Sequence, residues 1–277
     1  MKKPAVVLFL LSMIAVLALP ACGVLQEPEA ASGPIEAIPL ETQSAGVSDP
    51  VGVEATDPAL DAAPTEAPTD EPAEPETAID TVEPATAEAT AEPADAPAGM
   101  AAVFTLDSAG SQVRFQLDED LRGARTTVVG ITDQVAGQLS VNLADLSQTQ
   151  VGVIQINART LATDNNFRNR AIQNEILETG TYEFITFTPT GIEGLPASAT
   201  VGQAISFTIS GDLTIRDITM PATFNVEATA VSDSQISGTA TTVVNRADFD
   251  LRIPSVPSVA NVDEQVQLFI DFTANAS

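Results

Sequence analysis

Apolar and polar residues alternate strictly in many short segments of the C-terminal two thirds of the chain. Residues 113–117 and 205–209 are examples in which every second side chain is apolar. Such alternation places the apolar side chains on one face of a strand, and we count about eight to ten segments of this kind, separated by short turns. The pattern predicts that residues 101–277 form one all-β domain, an antiparallel barrel or sandwich with a sizeable core.

One segment within this domain has a helical pattern instead. Residues 163–166 can cap a helix that runs from Phe167 to Thr179, with Ile172 and Ile176 on one face. Gly180 follows as a natural C-terminal stop. The sequence therefore predicts a single helix laid across the barrel.

The apolar faces of the strands supply the candidate site residues. A barrel of about eight strands either is filled by its own side chains or holds one small ligand. The inward-facing residues are therefore either plain core or the lining of a cavity. They are Phe115, Leu139, Phe187, Phe207, Ile209, Leu213, Phe224 and Val226.

Charged residues of the domain offer two further candidates. Arg168 and Arg170 on the helix can bind an anion, although neighbouring Glu175 and Glu178 favour a solvated helix face. Asp212 with Asp217, and Arg246 with Asp248, invite an acid–base mechanism such as glycoside cleavage. For these we favour turn-flanking aspartates and a structural ion pair on one strand face, because no nucleophile, metal cluster or glycine-rich loop accompanies them.

The N-terminus has the features of an export signal. Two lysines follow Met1, residues 4–21 are apolar apart from Ser12, and the stretch ends in Leu19-Pro20-Ala21-Cys22-Gly23. These last residues resemble a bacterial lipobox, in which the cysteine is lipidated and becomes the new N-terminus. The alternative is an uncleaved transmembrane anchor. We predict a lipoprotein signal peptide over residues 1–22, with Cys22 as the attachment point to a membrane.

Residues 23–100 have the composition of a disordered linker. They contain eighteen Asp or Glu, twelve of the nineteen prolines and no Lys or Arg. Such a segment cannot bury enough apolar surface to offset the entropy of ordering. We expect an acidic tether that lifts the domain off the membrane. The alternative is a specific binding tail, although the carboxylates lack the spacing of a calcium loop.

Composition removes most enzyme classes. The chain has a formal charge of −27, no histidine, one cysteine, and no lysine beyond Lys2 and Lys3. Histidine-dependent nucleophiles, lysine Schiff bases and histidine-based zinc sites are therefore excluded. The negative charge disfavours nucleic acid as a partner. We predict a non-enzymatic protein without a cofactor or metal.

Four stretches of the domain, taken in order, resemble the YceI-like family of exported proteins. Residues 104–115 are similar to its opening strand pair, and residues 182–187 to its "Y-P-x-I-x-F" strand, without the proline. Residues 211–221 resemble its "G-x-L-T-hydrophobic-x-G-x-T-x-P" hairpin, with Asp217 where a glycine is usual. Residues 245–249 look like its late "R-x-D-F" element.

The resemblance implies a lipocalin-like antiparallel barrel whose cavity holds an isoprenoid chain, such as a polyprenyl lipid or a quinone tail. Family members often have histidines where this chain has Gly110 and Asp118, so any head-group role of those histidines is absent here. The expected protein is a carrier or store of an isoprenoid lipid, anchored through Cys22 to the outer face of the cell membrane or the periplasmic membrane surface. The alternatives are a surface interaction or adhesion module with a filled barrel, and a two-carboxylate hydrolase.

Overall fold

A computed structural model describes residues 26–40 and 101–277, and the second range is built almost entirely from antiparallel strands. Among the described residues one α-helix occurs, α1 (Asn166–Ala171), which continues into a π-helical turn (Ile172–Ile176). The strands are β1 (Ala102–Leu106), β2 (Gln112–Leu121), β3 (Ala124–Thr132), β4 (Val135–Ala136), β5 (Gln138–Val141), β6 (Gln150–Val151), β7 (Ile154–Asn157), β8 (Phe184–Glu193), β9 (Ala204–Ile215), β10 (Ile218–Ser232), β11 (Gln235–Asn245), β12 (Val259–Ala260) and β13 (Gln265–Ala276).

The strands form one sheet that curls into a barrel. Its main path runs β4-β7-β8-β9-β10-β11-β13-β1-β5-β6. The path returns to its start because β4 and β5 are consecutive in the chain, separated only by Gly137. The predicted antiparallel, lipocalin-like barrel with one short helix is therefore confirmed.

More strands are present than the alternation suggested, because long strands bend and break. β1 pairs with the C-terminal part of β13 and β2 with its N-terminal part, so residues 102–121 follow one line along the barrel. A short 3₁₀ turn, Ser108–Gly110, interrupts that line. The buried apolar side chains of the interior form a single cluster that includes Phe104, Leu213 and Phe249.

The barrel has two distinct ends. The helix end carries the β2–β3 turn at residues 122–123, the β9–β10 turn at residues 216–217, the helical segment 166–176 and the loop 246–264. The side chain of Arg216 joins two of these parts by donating to the carbonyl oxygen of Ile176 over 3.2 Å. The opposite end carries the β8–β9 connection 194–203, the β10–β11 turn 233–234 and the C-terminus.

The helix starts as predicted and ends earlier. The side chain of Asn165 caps it by accepting hydrogen bonds from the backbone nitrogens of Phe167 and Arg168. The chain leaves the helical conformation at Glu178, which has a left-handed φ of 49°. Gly180 is therefore not the stop. A hydrogen bond of 3.1 Å from Arg216 to the carboxylate of Glu178 holds this residue in place.

Residues 26–40, called the strap below, lie extended against the outside of the barrel. They fall within the predicted disordered linker, and here the structure differs from that prediction. The strap carries only three acidic residues, and side chains of the domain hydrogen-bond its backbone at four points. The rest of the predicted linker, residues 23–25 and 41–100, lies outside the described residues, as does the predicted signal peptide with Cys22.

Within residues 26–40 and 101–277, no helix combines the length and apolar character that crossing a bilayer requires.

Candidate ligand-binding cavity

A cavity of about 580 Å³ opens inside the helix end of the barrel. This helix-end chamber is walled on one side by strands β2, β8, β9 and β13, which contribute alternating apolar side chains. The other side is walled by the helical segment, through Ile172 and Ile176, and by the loop 246–264, through Leu251 and Ile253. The lining is overwhelmingly apolar, so the chamber fits a hydrocarbon ligand.

Two apolar residues of the lining are exposed, Phe167 at the N-terminus of α1 with 66 % and Val256 in the loop 246–264 with 41 % of its surface accessible. From their exposure we infer that the chamber opens between these two elements. Arg122, at the tip of the β2–β3 turn, also lines the chamber. A ligand can therefore enter past apolar side chains without displacing a strand.

A second, much smaller cavity of about 120 Å³ lies toward the opposite end. This opposite-end chamber is bounded by strands β5, β9 and β10, whose side chains leave little space between them. Phe187, Phe224 and Ile270 line both chambers. The rings of Phe187 and Phe224 meet edge to face with centroids 4.8 Å apart, and this pair forms the partition between the chambers.

A glycine allows this partition to form. The ring of Phe187 lies over Gly211 on the neighbouring strand, where a Cβ atom would come within 2.8 Å of the ring. Only a residue without a side chain leaves room for the ring at that point. Gly130 does the same for the ring of Phe115 in the wall of the helix-end chamber.

The eight candidate residues are divided between the chambers. Phe115 and Leu213 line the helix-end chamber only, and Phe187 and Phe224 form the partition. The other four line the opposite-end chamber only: Leu139, Phe207, Ile209 and Val226. All eight face the barrel interior, and their contact with a ligand stays a prediction.

Sequence reasoning missed the lining that the loop 246–264 supplies. Leu251, Ile253 and Val256 do not alternate with polar residues in the manner of a strand, and two prolines interrupt the segment. Ile172 and Ile176 were recognised as one helix face but not as the wall of a cavity. The signal that could have identified this part of the lining is a run of apolar residues beside prolines that lacks the periodicity of a strand or a helix.

One buried ion pair lies in the wall of the helix-end chamber. Glu119 on β2 is only 5 % exposed, and Arg168 on α1 donates to it over 2.8 Å. Arg168 also contacts Asp164 over 2.5 Å. The expectation of a solvated helix face is therefore wrong for Arg168, whose side chain is 17 % exposed. The pair neutralises both charges beside the cavity.

The expected ion pair between Arg246 and Asp248 is also absent among the described contacts. Both residues lie in a 3₁₀ turn, Arg246–Phe249, and not on a strand. Arg246 instead donates to Glu264 over 2.6 Å, and Asp248 accepts from Asn245 over 3.3 Å. Arg246 therefore fastens the loop to the start of β13.

The two aspartates considered for acid–base chemistry occupy the hairpin of β9 and β10. Asp212 lies within β9, where it pairs with Pro221, and does not flank a turn as expected. Asp217 lies in the two-residue turn. Neither lines the helix-end chamber. In the described ranges, no cluster of acidic, cysteine or histidine side chains could hold a metal ion.

One carboxylate outside the cavity has a shifted pKa. Burial raises the pKa of Glu183, but hydrogen bonds from Ser32 and Asn157 and the positive charge of Arg159 outweigh burial and leave the pKa below its ordinary value. Ser32 belongs to the strap. The ionised form of Glu183 therefore helps to hold the strap on the domain.

Comparison with known proteins gives a consistent picture of the domain. The model of the YceI-like domain matches residues 104–274, which is more than half of the chain. No curated protein matches the sequence.

Several solved structures resemble the fold. A polyisoprenoid-binding domain from Saccharophagus degradans, implicated in plant cell wall breakdown, has 16 % identity and a TM-score of 0.51, and the match covers 63 % of this chain and 98 % of that one. Burkholderia cenocepacia BcnA has 18 % identity and a TM-score of 0.48, covering 61 % and 99 %. The Campylobacter jejuni YCEI protein has 17 % identity and a TM-score of 0.42, covering 52 % and 81 %. At these identities the S. degradans likeness shows a shared fold.

Proposed function

The chain belongs to the YceI-like family, and on that premise we propose that its domain binds the hydrocarbon chain of an isoprenoid lipid in the helix-end chamber. The observation that carries the proposal is the apolar cavity of about 580 Å³ with an apolar opening. Ligand cavities in proteins fall in the range of about 300–1,000 Å³. The polyisoprenoid-binding domain of S. degradans shares the fold.

The chemistry of the wall supports a hydrocarbon rather than a polar ligand. Glu119 and Arg168 satisfy each other, and Arg246 is satisfied by Glu264 and by backbone carbonyl oxygens. An isoprenoid chain offers no hydrogen-bonding groups and gains its affinity from the apolar area that it buries. The lining matches that requirement.

We also propose that the protein is exported and attached through Cys22 to the outer face of a membrane. The basic start, the apolar run and the lipobox-like ending of residues 1–22 support this placement. Isoprenoid lipids reside in membranes, so an anchored domain has direct access to its ligand. We propose a carrier or store rather than an enzyme, because the lining is almost entirely apolar and its one carboxylate, that of Glu119, is held by Arg168.

Native mass spectrometry of the chain from Cys22 onward, purified without detergent, tests the binding proposal. We expect a bound species whose masses differ in steps of one isoprene unit. A protein that is empty and also fails to bind added prenyl quinone or polyprenol would contradict the proposal.

Two matched tryptophan substitutions test whether the lipid binds in the helix-end chamber. Ala171 lines the helix-end chamber, whereas Ala204 lies exposed at the start of β9. Ala171→Trp should fill part of the chamber and displace the lipid, and Ala204→Trp should retain it. Equal retention by both variants would place the ligand elsewhere.

A further inference from the structure

The strap begins beside the helix that covers the cavity. The side-chain amide of Asn174 donates to the carbonyl oxygen of Gln26 over 3.0 Å. Asn174 lies in the π-helical turn, between Ile172 and Ile176, which line the helix-end chamber. The first described residue of the strap is therefore fixed to the cavity wall.

The middle of the strap is held by one arginine and one glutamate of the domain. Arg159 contacts Glu29 over 3.0 Å and donates to the carbonyl oxygen of Ala30 over 3.1 Å. Glu183 accepts from the backbone nitrogen of Ser32 over 2.8 Å and also contacts Arg159. The side chains of Arg159 and Glu183 are each 12 % exposed, so the pair between them is shielded from solvent more than an ordinary surface pair, whereas Glu29 is 65 % exposed.

The end of the strap lies further along the barrel. The backbone nitrogen of Leu40 donates to the side chain of Gln138 over 3.1 Å. The side chain of Leu40 packs on Gly152, where a Cβ atom added to the glycine would lie 3.0 Å from the leucine side chain. Leu40 contacts Gly152, which precedes β7, whereas Ala30 contacts Arg159, which follows β7. The strap therefore runs antiparallel to β7, from the helix end of the barrel toward the opposite end.

This course determines where the chain leaves the domain. Cys22 is four residues before Gln26, and a fully extended chain covers about 3.3–3.6 Å per residue, so the chain between an anchor at Cys22 and Gln26 can span at most about 14 Å. Residues 41–100 start on the domain at Leu40 and return to it at Ala101. We therefore infer that residues 26–40, rather than residues 41–100, connect Cys22 to the domain.

The surface around the opening is suited to an apolar contact. Phe167 is 66 % exposed and lies seven residues before Asn174, about 10 Å along a helix. Val256 faces the same opening from the loop 246–264. Of the arginines beside it, Arg168 and Arg246 are paired with acids, whereas Arg122 lies exposed at the β2–β3 turn, so this surface offers apolar side chains and one basic side chain to a membrane.

From these observations we infer that the strap seats the cavity opening on the bilayer surface, with Phe167 entering the interface, when Cys22 is attached to a membrane. This rests on the proposed attachment at Cys22, but it does not depend on the identity of the ligand. An isoprenoid chain then passes between bilayer and chamber without crossing water.

Single-tryptophan quenching tests this orientation, because the chain has no tryptophan and only one cysteine. The chain from Cys22 onward is coupled through that thiol to a maleimide lipid in phosphatidylcholine vesicles with brominated acyl chains and no isoprenoid. Phe167→Trp reports on the helix end, and Val201→Trp, at an exposed position of the opposite end, is the matched control. We expect quenching several times stronger at position 167 than at position 201.

A variant of the strap tests whether its contacts orient the domain on the membrane, or whether the short distance to Cys22 is enough. Residues 26–40 are replaced by a Gly-Ser sequence of the same length, which keeps the distance to Cys22 along the chain but removes the contacts. The difference between positions 167 and 201 should then largely disappear. Glu29→Gln, a milder change on the strap itself, should reduce the difference in part.

Equal quenching at the two positions in the unaltered strap, or stronger quenching at position 201, would overturn the inference. A difference that survives replacement of the strap would also overturn it, because another feature would then orient the domain. The vesicles contain no isoprenoid, so these results are independent of whether the cavity binds one.

Discussion

The two halves of the barrel interior come from the same alternating sequence pattern and have opposite properties. The opposite-end chamber is walled mainly by paired strands, with Leu146 and residues of the 194–203 connection closing it, and retains about 120 Å³ of space, whereas the helix-end chamber retains about 580 Å³. The difference lies in the wall. The helix-end chamber is closed by the helical segment and the proline-containing loop 246–264, whose side chains leave most of the space between them and the strands empty. One half of this barrel is thus a filled core and the other half is a cavity.

The largest effect is expected from removing the partition between the halves. Phe224→Ala should lower the free energy of unfolding by about 3–5 kcal/mol, because it deletes a buried ring and its edge-to-face partner contact. It should also join the chambers, so that native mass spectrometry detects longer isoprenoid chains. Phe167→Ala, which removes an exposed ring, should leave the unfolding free energy within about 0.5 kcal/mol of the parent. An unchanged chain-length distribution in Phe224→Ala would show that the ligand does not reach the partition.

A matched pair of isoleucines compares the packing of the two halves directly. Ile209 on β9 lines the opposite-end chamber, and Ile185 on β8 lines the helix-end chamber. Ile209→Ala should lower the free energy of unfolding of ligand-free protein in urea by about 2–5 kcal/mol, because the side chain is buried and little empty space adjoins it. Ile185→Ala should cost less than half as much, because part of its surface already faces empty space. Equal losses would mean that the two chambers are packed alike.

Breaking the ion pair in the wall of the helix-end chamber should lower the free energy of unfolding less than deleting a packed apolar side chain. Arg168→Ala leaves the buried carboxylate of Glu119 without its ion partner, which should cost about 1–3 kcal/mol. Arg252→Ala removes an ion pair of two exposed side chains and should cost at most about 1 kcal/mol. Thermal unfolding of both variants provides the measurement. A loss at Arg168 no greater than at Arg252 would show that Glu119 is well solvated.

The smallest predicted effect is a weakening of strap binding at low pH. The pKa of Glu183 is lowered when the strap is bound, so strap binding favours the ionised carboxylate and is present above its ordinary pKa. This contribution is lost as the pH falls through the lowered pKa. The amide of Ser32 should lose protection from hydrogen exchange in that range. The amide of Leu40, which donates to an uncharged glutamine, serves as the internal control.

Glu183→Gln tests the assignment of this pH effect. It removes the titrating group while keeping a hydrogen-bond acceptor, so the protection of Ser32 should become nearly independent of pH. A pH dependence that persists in this variant would assign the effect to another group, such as Glu29.

The sequence predicted the barrel because strand formation depends on local alternation, as in residues 205–209. It also predicted the start of the helix, where Asn165 caps its own neighbours. Charge pairing was harder, because Arg168 and Glu119 are 49 positions apart and the sequence offered nearer partners.

The cavity and the strap depend on distances that no local pattern encodes. Whether Ile209 and Ile185 face packed side chains or empty space is set by the elements on the opposite wall. The strap is held by Arg159, which is 129 residues from Ala30 in the chain. Its composition resembles the acidic segment that follows it, so composition alone assigned both to one linker.

Photolabelling with a diazirine-bearing isoprenoid tests the central claim most directly, because tandem mass spectrometry then locates the ligand within the barrel. We predict labels on residues 166–177 and 251–262, which wall the helix-end chamber, and their loss when unlabelled polyprenol competes. Labels confined to the outer surface, or equally frequent on residues 195–209 around the opposite-end chamber, would contradict it.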